Sequence, residues 1–185
     1  FKTFHPNGMR FEALSGDTVA GDWTIYSVGG GALANEETPP SKADMVYPMT
    51  TIAEIQKWCE DEGGSYWEYV DMIEGPGIWD YLREVWHTMR AAIERGRRNE
   101  GVLPGGLGGR RKAGAYLVKA KGDTDAMRNR GLLYAYALAT SEENAAGGVI
   151  VTAPTCGSSG VLPAVLYHLV TSRDFLEERI LRALA

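Results

Sequence analysis

The stretch from residue 78 to residue 98, IWDYLREVWHTMRAAIERGRR, decides the fold class. Its apolar residues recur every three or four positions, the spacing that places side chains on one face of an α-helix. These residues are Ile78, Trp79, Leu82, Val85, Trp86, Met89 and Ile93. The stretch ends in arginines, between Arg95 and Arg98, where cations favour the negative end of the helix dipole. We therefore predict one long amphipathic helix with an apolar side for packing.

The segments on both sides of this helix also carry helical signals. Thr51 with Glu54, and Ser65 with Glu68, have the spacing of a capping box, which starts a helix. Further helices are predicted near residues 111–121 and 125–141. In the second of these, the run from residue 132 to residue 139 is apolar on every side and is expected in the middle of the domain. The predicted fold class is mainly α.

The start of the chain has a β pattern instead. Residues 9–14 alternate in polarity, residues 15–17 supply a turn, and residues 23–28 are rich in β-branched and aromatic side chains. We predict a short β-hairpin within residues 1–33, whose partner strands lie elsewhere in the natural protein because an isolated hairpin is marginally stable. Residues 34–48 are polar and punctuated by prolines, which predicts a linker, and residues 49–185 form the helical part.

The composition argues against several classes of function. The 185 residues carry 19 basic and 24 acidic side chains, a net charge of -5, so no basic surface for nucleic acid is expected. The longest apolar runs fall far short of the ~20 residues of a membrane-spanning helix. The two cysteines, Cys59 and Cys156, make neither a disulfide framework nor a metal pair. We expect a cytoplasmic protein whose chain holds no metal.

The stretch from residue 141 to residue 164 is the most informative about chemistry. A buried helix is predicted to end in Glu142, Glu143 and Asn144, and a short connector leads to a turn over residues 155–160, TCGSSG. A new helix follows, with Pro163 near its start. Such a turn aims unpaired backbone amides and hydroxyls at one point under the positive end of a helix dipole, which predicts a site for a small anion such as an amino-acid carboxylate. Small residues also suit capping and close packing, so spacing alone leaves both interpretations open.

Two other features suggest chemistry. Cys156 lies at a helix N-terminus, which favours the thiolate and suits a nucleophile, but no histidine is an evident partner. The glycine-rich run at residues 105–109 precedes Arg110, Arg111 and Lys112, yet it fits no phosphate-binding motif. We expect a mobile or closely packed loop there, with cations that assist a carboxylate substrate.

Several motifs, in a shared order along the chain, resemble those of one enzyme family. They are residues 5–10 (HPNGMR), 26–31 (YSVGGG), 85–89 (VWHTM), 100–105 (EGVLPG), 141–148 (SEENAAGG), 151–155 (VTAPT) with Gly157, and 161–166 (VLPAVL). With compatible spacing over nearly the whole chain, these motifs resemble the iron–sulfur type of bacterial L-serine dehydratase, or L-serine ammonia-lyase.

The resemblance implies an architecture and an activity. Residues 1–33 would be the closing strands of an α/β domain, the β domain, and residues 49–185 the first half of a helical catalytic domain in a longer protein. Family members convert L-serine to pyruvate and ammonia with a 4Fe–4S cluster that acts as a Lewis acid on the hydroxyl. The cluster ligands are expected beyond residue 185, since neither Cys59 nor Cys156 matches one, so this chain alone is expected to be inactive. A homodimer is implied for the full-length protein.

The resemblance also implies roles for individual residues. Substrate contacts fall on the helix end and on the turn described above: Glu143 and Asn144 for the ammonium or for hydrogen-bond support, and Thr155, Cys156, Gly157 and Ser158 for the carboxylate. A contact between the two domains is implied for Ser27, Gly29, Gly30 and Gly31. The catalytic base stays unassigned. Three alternatives remain open: a dehydratase for threonine or another β-hydroxy amino acid, an enzyme with Cys156 as nucleophile, and a non-catalytic helical scaffold.

Overall fold

The computed structural model describes residues 6–29, 32–37, 46–151 and 156–185. Seven helices and one three-stranded sheet form the regular structure of these residues, and the sheet precedes the helices. The chain divides into two compact units, Phe1–Met45 and Val46–Ala185. The prediction of a mainly α chain with a small β element at its start is confirmed.

The first unit contains an antiparallel sheet in the order β1 (Gly8–Ser15), β2 (Thr18–Gly29), β3 (Ala32–Ala34). Strands β1 and β2 are the predicted hairpin, with Phe11 opposite Trp23 and a register shift after Ala13. No sequence pattern predicts β3, because three residues are too few to establish an alternating pattern. Strand β3 ends at Ala34, the first residue of the predicted linker, and residues 38–45 of that linker lie outside the described residues.

The second unit begins with two short helices, α1 (Ile52–Glu62) and α2 (Tyr66–Glu74). Both predicted capping boxes are present: the Glu54 side chain accepts from the Thr51 amide at 2.9 Å, and the Glu68 side chain accepts from the Ser65 amide at 2.7 Å. Helix α1 ends at Gly63, whose φ of 68° lies in the left-handed region that favours glycine. Local capping chemistry therefore sets the starts of both helices.

The core of the second unit forms around α3 (Gly77–Gly96), the predicted long helix. Its apolar face buries Leu82, Trp86, Met89 and Ile93. The helix packs against α5 (Asp125–Ala145), α6 (Cys156–Arg173) and α7 (Glu177–Leu184), and α4 (Ala113–Gly122) packs against α5. Where α3 ends against α5, a Cβ at Gly96 would lie 2.1 Å from the backbone oxygen of Ala139, so only glycine fits. This close approach brings the end of α3 onto the last third of α5.

The run from residue 132 to residue 139 of α5, predicted to lie in the middle of the domain, is buried only in part. Ala135, Tyr136 and Ala139 are buried, but Tyr134 is 57% exposed. Helices α3, α4 and α6 pack against α5, and Tyr134 lines a surface cleft together with Tyr116 of α4. None of the described helices is both long and apolar enough to cross a membrane.

Candidate functional site

Two adjacent carboxylates, Glu142 and Glu143, are buried near the C-terminal end of α5, with 5% and 4% of their surface exposed. Buried glutamates are rare unless hydrogen bonds or cations compensate for the loss of water. The hydrogen-bond donors and cations around each carboxylate therefore show what compensates for its burial.

Glu143 is held by three side-chain donors. Asn99 Nδ2 donates to Oε1 at 2.7 Å, Arg111 Nη1 donates to Oε1 at 2.9 Å, and Arg95 Nε donates to Oε2 at 3.2 Å. The Arg111 side chain is only 10% exposed, whereas that of Arg95 is 41% exposed. One carboxylate thus joins the end of α3, the segment before α4 and the end of α5.

The hydrogen bonds decide the charge of Glu143. Burial raises the pKa of this carboxyl, but the donors Asn99, Arg111 and Arg95 outweigh burial and hold the pKa below its usual value of 4.5. Glu143 is therefore ionised at neutral pH and acts as an acceptor only.

Glu142 caps the N-terminus of the neighbouring helix α4. Its Oε1 accepts from the backbone amides of Lys112 at 2.6 Å and Ala113 at 3.2 Å, at the N-terminus of α4. An acceptor at this place satisfies amides that have no partner within the helix. Its Oε2 is buried without a hydrogen-bond partner in the described part of the chain.

The connector that follows α5 contacts Glu143 through Gly148. The Gly148 amide donates to the backbone carbonyl of Glu143 at 2.8 Å, and a Cβ at Gly148 would lie 2.8 Å from Glu143 Oε2. One residue further, Arg95 Nη2 donates to the carbonyl of Val149. Gly147, with a φ of 75°, provides the left-handed conformation that reverses the chain. The same carboxylate cluster thus fixes residues 147–149, which lead towards α6.

The first turn of α6 lies beside the last turns of α5. A Cβ at Gly160 would lie 2.8 Å from Ser141 Oγ and 2.9 Å from the Ala137 carbonyl, so the two helices meet without an intervening side chain. The sequence predicted a turn over residues 155–160, but residues 156–160 are already helical, and Pro163 lies inside α6 rather than near its start. Cys156, Gly157 and Ser158 therefore occupy the first helical turn, where backbone amides have no partner within the helix.

The predicted site residues differ in how far the structure describes them. Asn144 is half-buried beside Glu143, and Ser158 is exposed in the first turn of α6. Of the remaining substrate residues, Thr155 lies outside the described residues, and only the backbone of Cys156 and Gly157 is described. In β2, Ser27 pairs with Leu33 and Gly29 pairs with Ala32. Gly30 and Gly31 lie outside the described residues, and the proposed domain contact stays a prediction.

The glycine-rich loop has more order than its composition suggests. Val102 and Arg110 form an isolated antiparallel bridge, and the Leu103 amide donates to the Gly109 carbonyl at 2.7 Å. A cleft of about 360 Å³ beside it is lined by residues that include Asn99, Arg110 and Arg111. The Arg111 guanidinium is paired with Glu143 in the buried cluster, and the expectation that cations of this loop assist a substrate carboxylate stays a prediction.

The residues of this chain do not fit a 4Fe–4S cluster, which is held mainly by cysteine thiolates. The sequence has two cysteines. Cys59 is a half-buried free thiol on α1. Among the described residues, no group of three or more His, Cys, Asp or Glu side chains is placed to hold a metal ion.

Sequence reasoning missed Arg95, Asn99 and Arg111 as partners of the site. The arginine near the end of α3 was explained by the helix dipole alone. A signal was nonetheless present, because two adjacent glutamates that closely follow an apolar helical run require cations or amides from elsewhere in the chain if they are buried.

Comparison with known proteins places this arrangement in a family. The family of the serine dehydratase alpha chain matches residues 41–185, which include all seven of the described helices. The chain belongs to the serine dehydratase alpha chain family.

Curated relatives of this chain carry names consistent with that family. L-serine dehydratase 2 of Escherichia coli is 40% identical over 179 residues, which cover 90% of this chain and 39% of that protein. L-serine dehydratase of Streptomyces coelicolor is 36% identical over 183 residues, which cover 89% of this chain and 39% of that protein. The chain thus spans about two fifths of the length of these relatives. The resemblance to L-serine dehydratases stated from the sequence motifs is confirmed.

Proposed function

We propose that the whole protein is an L-serine dehydratase that converts L-serine to pyruvate and ammonia. The observation that carries this proposal is the family match over residues 41–185, together with relatives named L-serine dehydratase at up to 40% identity. The relatives are longer than this chain, so the proposal concerns a protein of their length, to which these residues contribute one part.

The reaction sets what the protein must bind. The α-proton and the β-hydroxyl of serine leave as water, and the product is aminoacrylate. Aminoacrylate tautomerises to an imine, to which a water adds before ammonia leaves and pyruvate forms. The balance is therefore one serine to one pyruvate and one ammonia. Orientation of the carboxylate and the ammonium contributes to catalysis because it holds the Cα–H and Cβ–O bonds in place for elimination.

We assign the substrate carboxylate to the start of α6. The supporting observation is that α6 begins at Cys156, since its first amides have no partner within the helix and lie at the positive end of the dipole. Thr155, Cys156, Gly157 and Ser158 are the residues proposed for this contact.

The ammonium group is assigned to Asn144, whose side-chain oxygen can accept a hydrogen bond. Asn144 is half-buried at the end of α5, three residues after Ser141, which lies beside Gly160 of α6. Glu143 has three donors of its own, so we assign to it hydrogen-bond support for this helix end rather than direct contact with serine.

We further propose a 4Fe–4S cluster as cofactor, a homodimer as assembly and the cytoplasm as location. Since the residues of this chain do not fit the cluster, its ligands belong to the remainder of the whole protein. The resemblance carries the first two proposals, and the composition of the chain carries the third. An iron analysis and a sedimentation measurement of the whole protein test the first two.

The function is tested with the whole protein, purified without oxygen and supplied with L-serine or L-threonine in separate assays. We expect pyruvate from L-serine, with a higher kcat/KM than for formation of 2-oxobutyrate from L-threonine. Thr155→Ala or Asn144→Ala should raise KM for serine or lower kcat by about tenfold, the loss of one hydrogen bond to a charged group. Asn129→Ala, at the start of α5, is the matched control. Wild-type kinetics in both site variants would refute the site, and a preference for threonine would refute the substrate.

A further inference from the structure

Arg95 makes two hydrogen bonds from one guanidinium. It lies in the last turn of α3 and donates from Nε to Glu143 Oε2 at 3.2 Å and from Nη2 to the carbonyl of Val149. The first contact is with a buried side chain, and the second is with exposed backbone in the connector between α5 and α6. Arg95 therefore links the carboxylate cluster to the path of the connector.

The contact with Val149 is the one that extends beyond the cluster. Gly148 is held by its own amide, which donates to the Glu143 carbonyl at 2.8 Å, and by its lack of a side chain against Glu143 Oε2. Val149 is 70% exposed and has no apolar burial to hold it. Its carbonyl bond to Arg95 is thus the described side-chain contact that fixes the connector at this position, before Val151 packs against the core two residues further on.

We propose that Arg95 is a positioning residue for serine binding: it fixes the connector that carries the chain from Glu143 to the substrate-binding start of α6. This inference rests on the function proposed above. Arg95 does not touch the substrate in this account. It acts through the backbone of Val149 and sets where the chain enters the carboxylate site.

The two contacts have different chemical requirements, which makes the proposal testable. A lysine at position 95 keeps a positive charge for Glu143, but a single ammonium lacks the planar fork that donates in two directions from fixed positions. The Arg95→Lys variant should keep the ion pair and lose the bond to Val149. If Arg95 only stabilises the fold, lysine should restore the wild-type KM for serine. If Arg95 positions the connector, lysine should not restore it.

The experiment compares the whole protein with its Arg95→Lys, Arg95→Ala and Arg98→Lys variants. Arg98 is the matched control, since it lies just after α3 and its side chain, 73% exposed, pairs only with Glu94 among the described contacts. We expect Arg95→Lys to keep its thermal midpoint while KM for serine rises about tenfold at a kcat within about twofold, as for one lost charge-assisted hydrogen bond. Arg95→Ala should show the same raised KM as Arg95→Lys and a lower thermal midpoint than the wild type. Wild-type KM in Arg95→Lys would overturn the proposal.

Hydrogen exchange on the whole protein provides a readout that needs no activity. In Arg95→Lys, the amides of residues 147–151 should exchange roughly ten times faster than in the wild type, while those in the interior of α3 stay unchanged. Unchanged exchange at residues 147–151 would overturn the inference. A wild-type whole protein that makes no pyruvate would instead overturn the proposed function, and exchange would still decide whether Arg95 holds the connector.

Discussion

Replacement of Glu143 by alanine tests the buried cluster most sharply. The change removes the acceptor for Asn99, Arg111 and Arg95 at once. Loss of one partner from a buried ion pair costs about 3–5 kcal/mol, because the other charge stays buried without compensation. Arg95 is 41% exposed and can be rehydrated, whereas Arg111 is 10% exposed and cannot. One stranded cation predicts the lower end of the range, about 3 kcal/mol.

This free energy corresponds to a measurable change in thermal stability. For a chain of this length, each kcal/mol shifts the midpoint of unfolding by about 2–4 °C, so Glu143→Ala should melt roughly 6–12 °C below the wild type. Circular dichroism of residues 1–185 at pH 7 provides the assay. Glu84→Ala is the control, since Glu84 is exposed on α3 and should change little. If Glu143→Ala melted as Glu84→Ala does, the cluster would contribute no stability and the argument would be refuted.

The lowered pKa of Glu143 predicts how the effect of the Glu143→Ala variant on thermal stability depends on pH. Because the pKa of folded Glu143 lies below 4.5, its ionised form stabilises the fold above that pH. The stabilisation is lost as pH falls through the lowered pKa. The difference in midpoint between wild type and Glu143→Ala should therefore be constant near neutral pH and shrink below pH 4.5. A difference that grows on acidification would contradict the assigned sign.

Three further predictions concern packing, capping and titration. Gly96→Ala should lower the free energy of unfolding by about 3 kcal/mol, since the new Cβ would meet the backbone of α5 at 2.1 Å. Glu142→Ala should cost about 1–2 kcal/mol, because two amides at the start of α4 lose their acceptor. Burial and, to a lesser extent, Arg173 lower the pKa of His168 below 6.5, so stability should decline as pH falls through 6.5 and His168→Gln should remove that decline.

Thermal melts with matched variants check these three predictions. Gly77→Ala, at the opposite end of α3, meets nothing within 4 Å and should leave the midpoint nearly unchanged. An equal effect of the two glycine variants would show that the close approach at Gly96 is unimportant. For Glu142, a midpoint equal to that of Glu84→Ala would contradict the capping role. For His168, a decline that persists in His168→Gln would assign the pH dependence to another group.

The features that the sequence predicted are those with local causes. The stripe of α3 repeats over consecutive turns, and each capping box involves residues three apart, so a short window contains the whole signal. Strand β3 was missed because it spans only three residues. The exposure of Tyr134 was missed because composition shows that a helix is apolar all round without showing which sides its neighbours cover.

The contacts of the site join residues that lie far apart in the sequence. Arg111 and Arg95 reach Glu143 across 32 and 48 positions of sequence, and no periodic pattern relates such distant residues. The sequence motifs marked Glu143 and Asn144 as site residues, but they left open whether Glu143 contacts the substrate or supports its surroundings. The three donors around its carboxylate favour support, a conclusion that required the fold.

The most direct test of the proposed function is a balance of both products in one reaction. The whole protein, purified without oxygen, is incubated with a known amount of L-serine, and pyruvate and ammonia are measured over time. The account predicts equal amounts of the two products and loss of their formation when iron is removed. Consumption of serine without equimolar pyruvate and ammonia, or no consumption by iron-loaded protein, would contradict the assignment as an L-serine dehydratase.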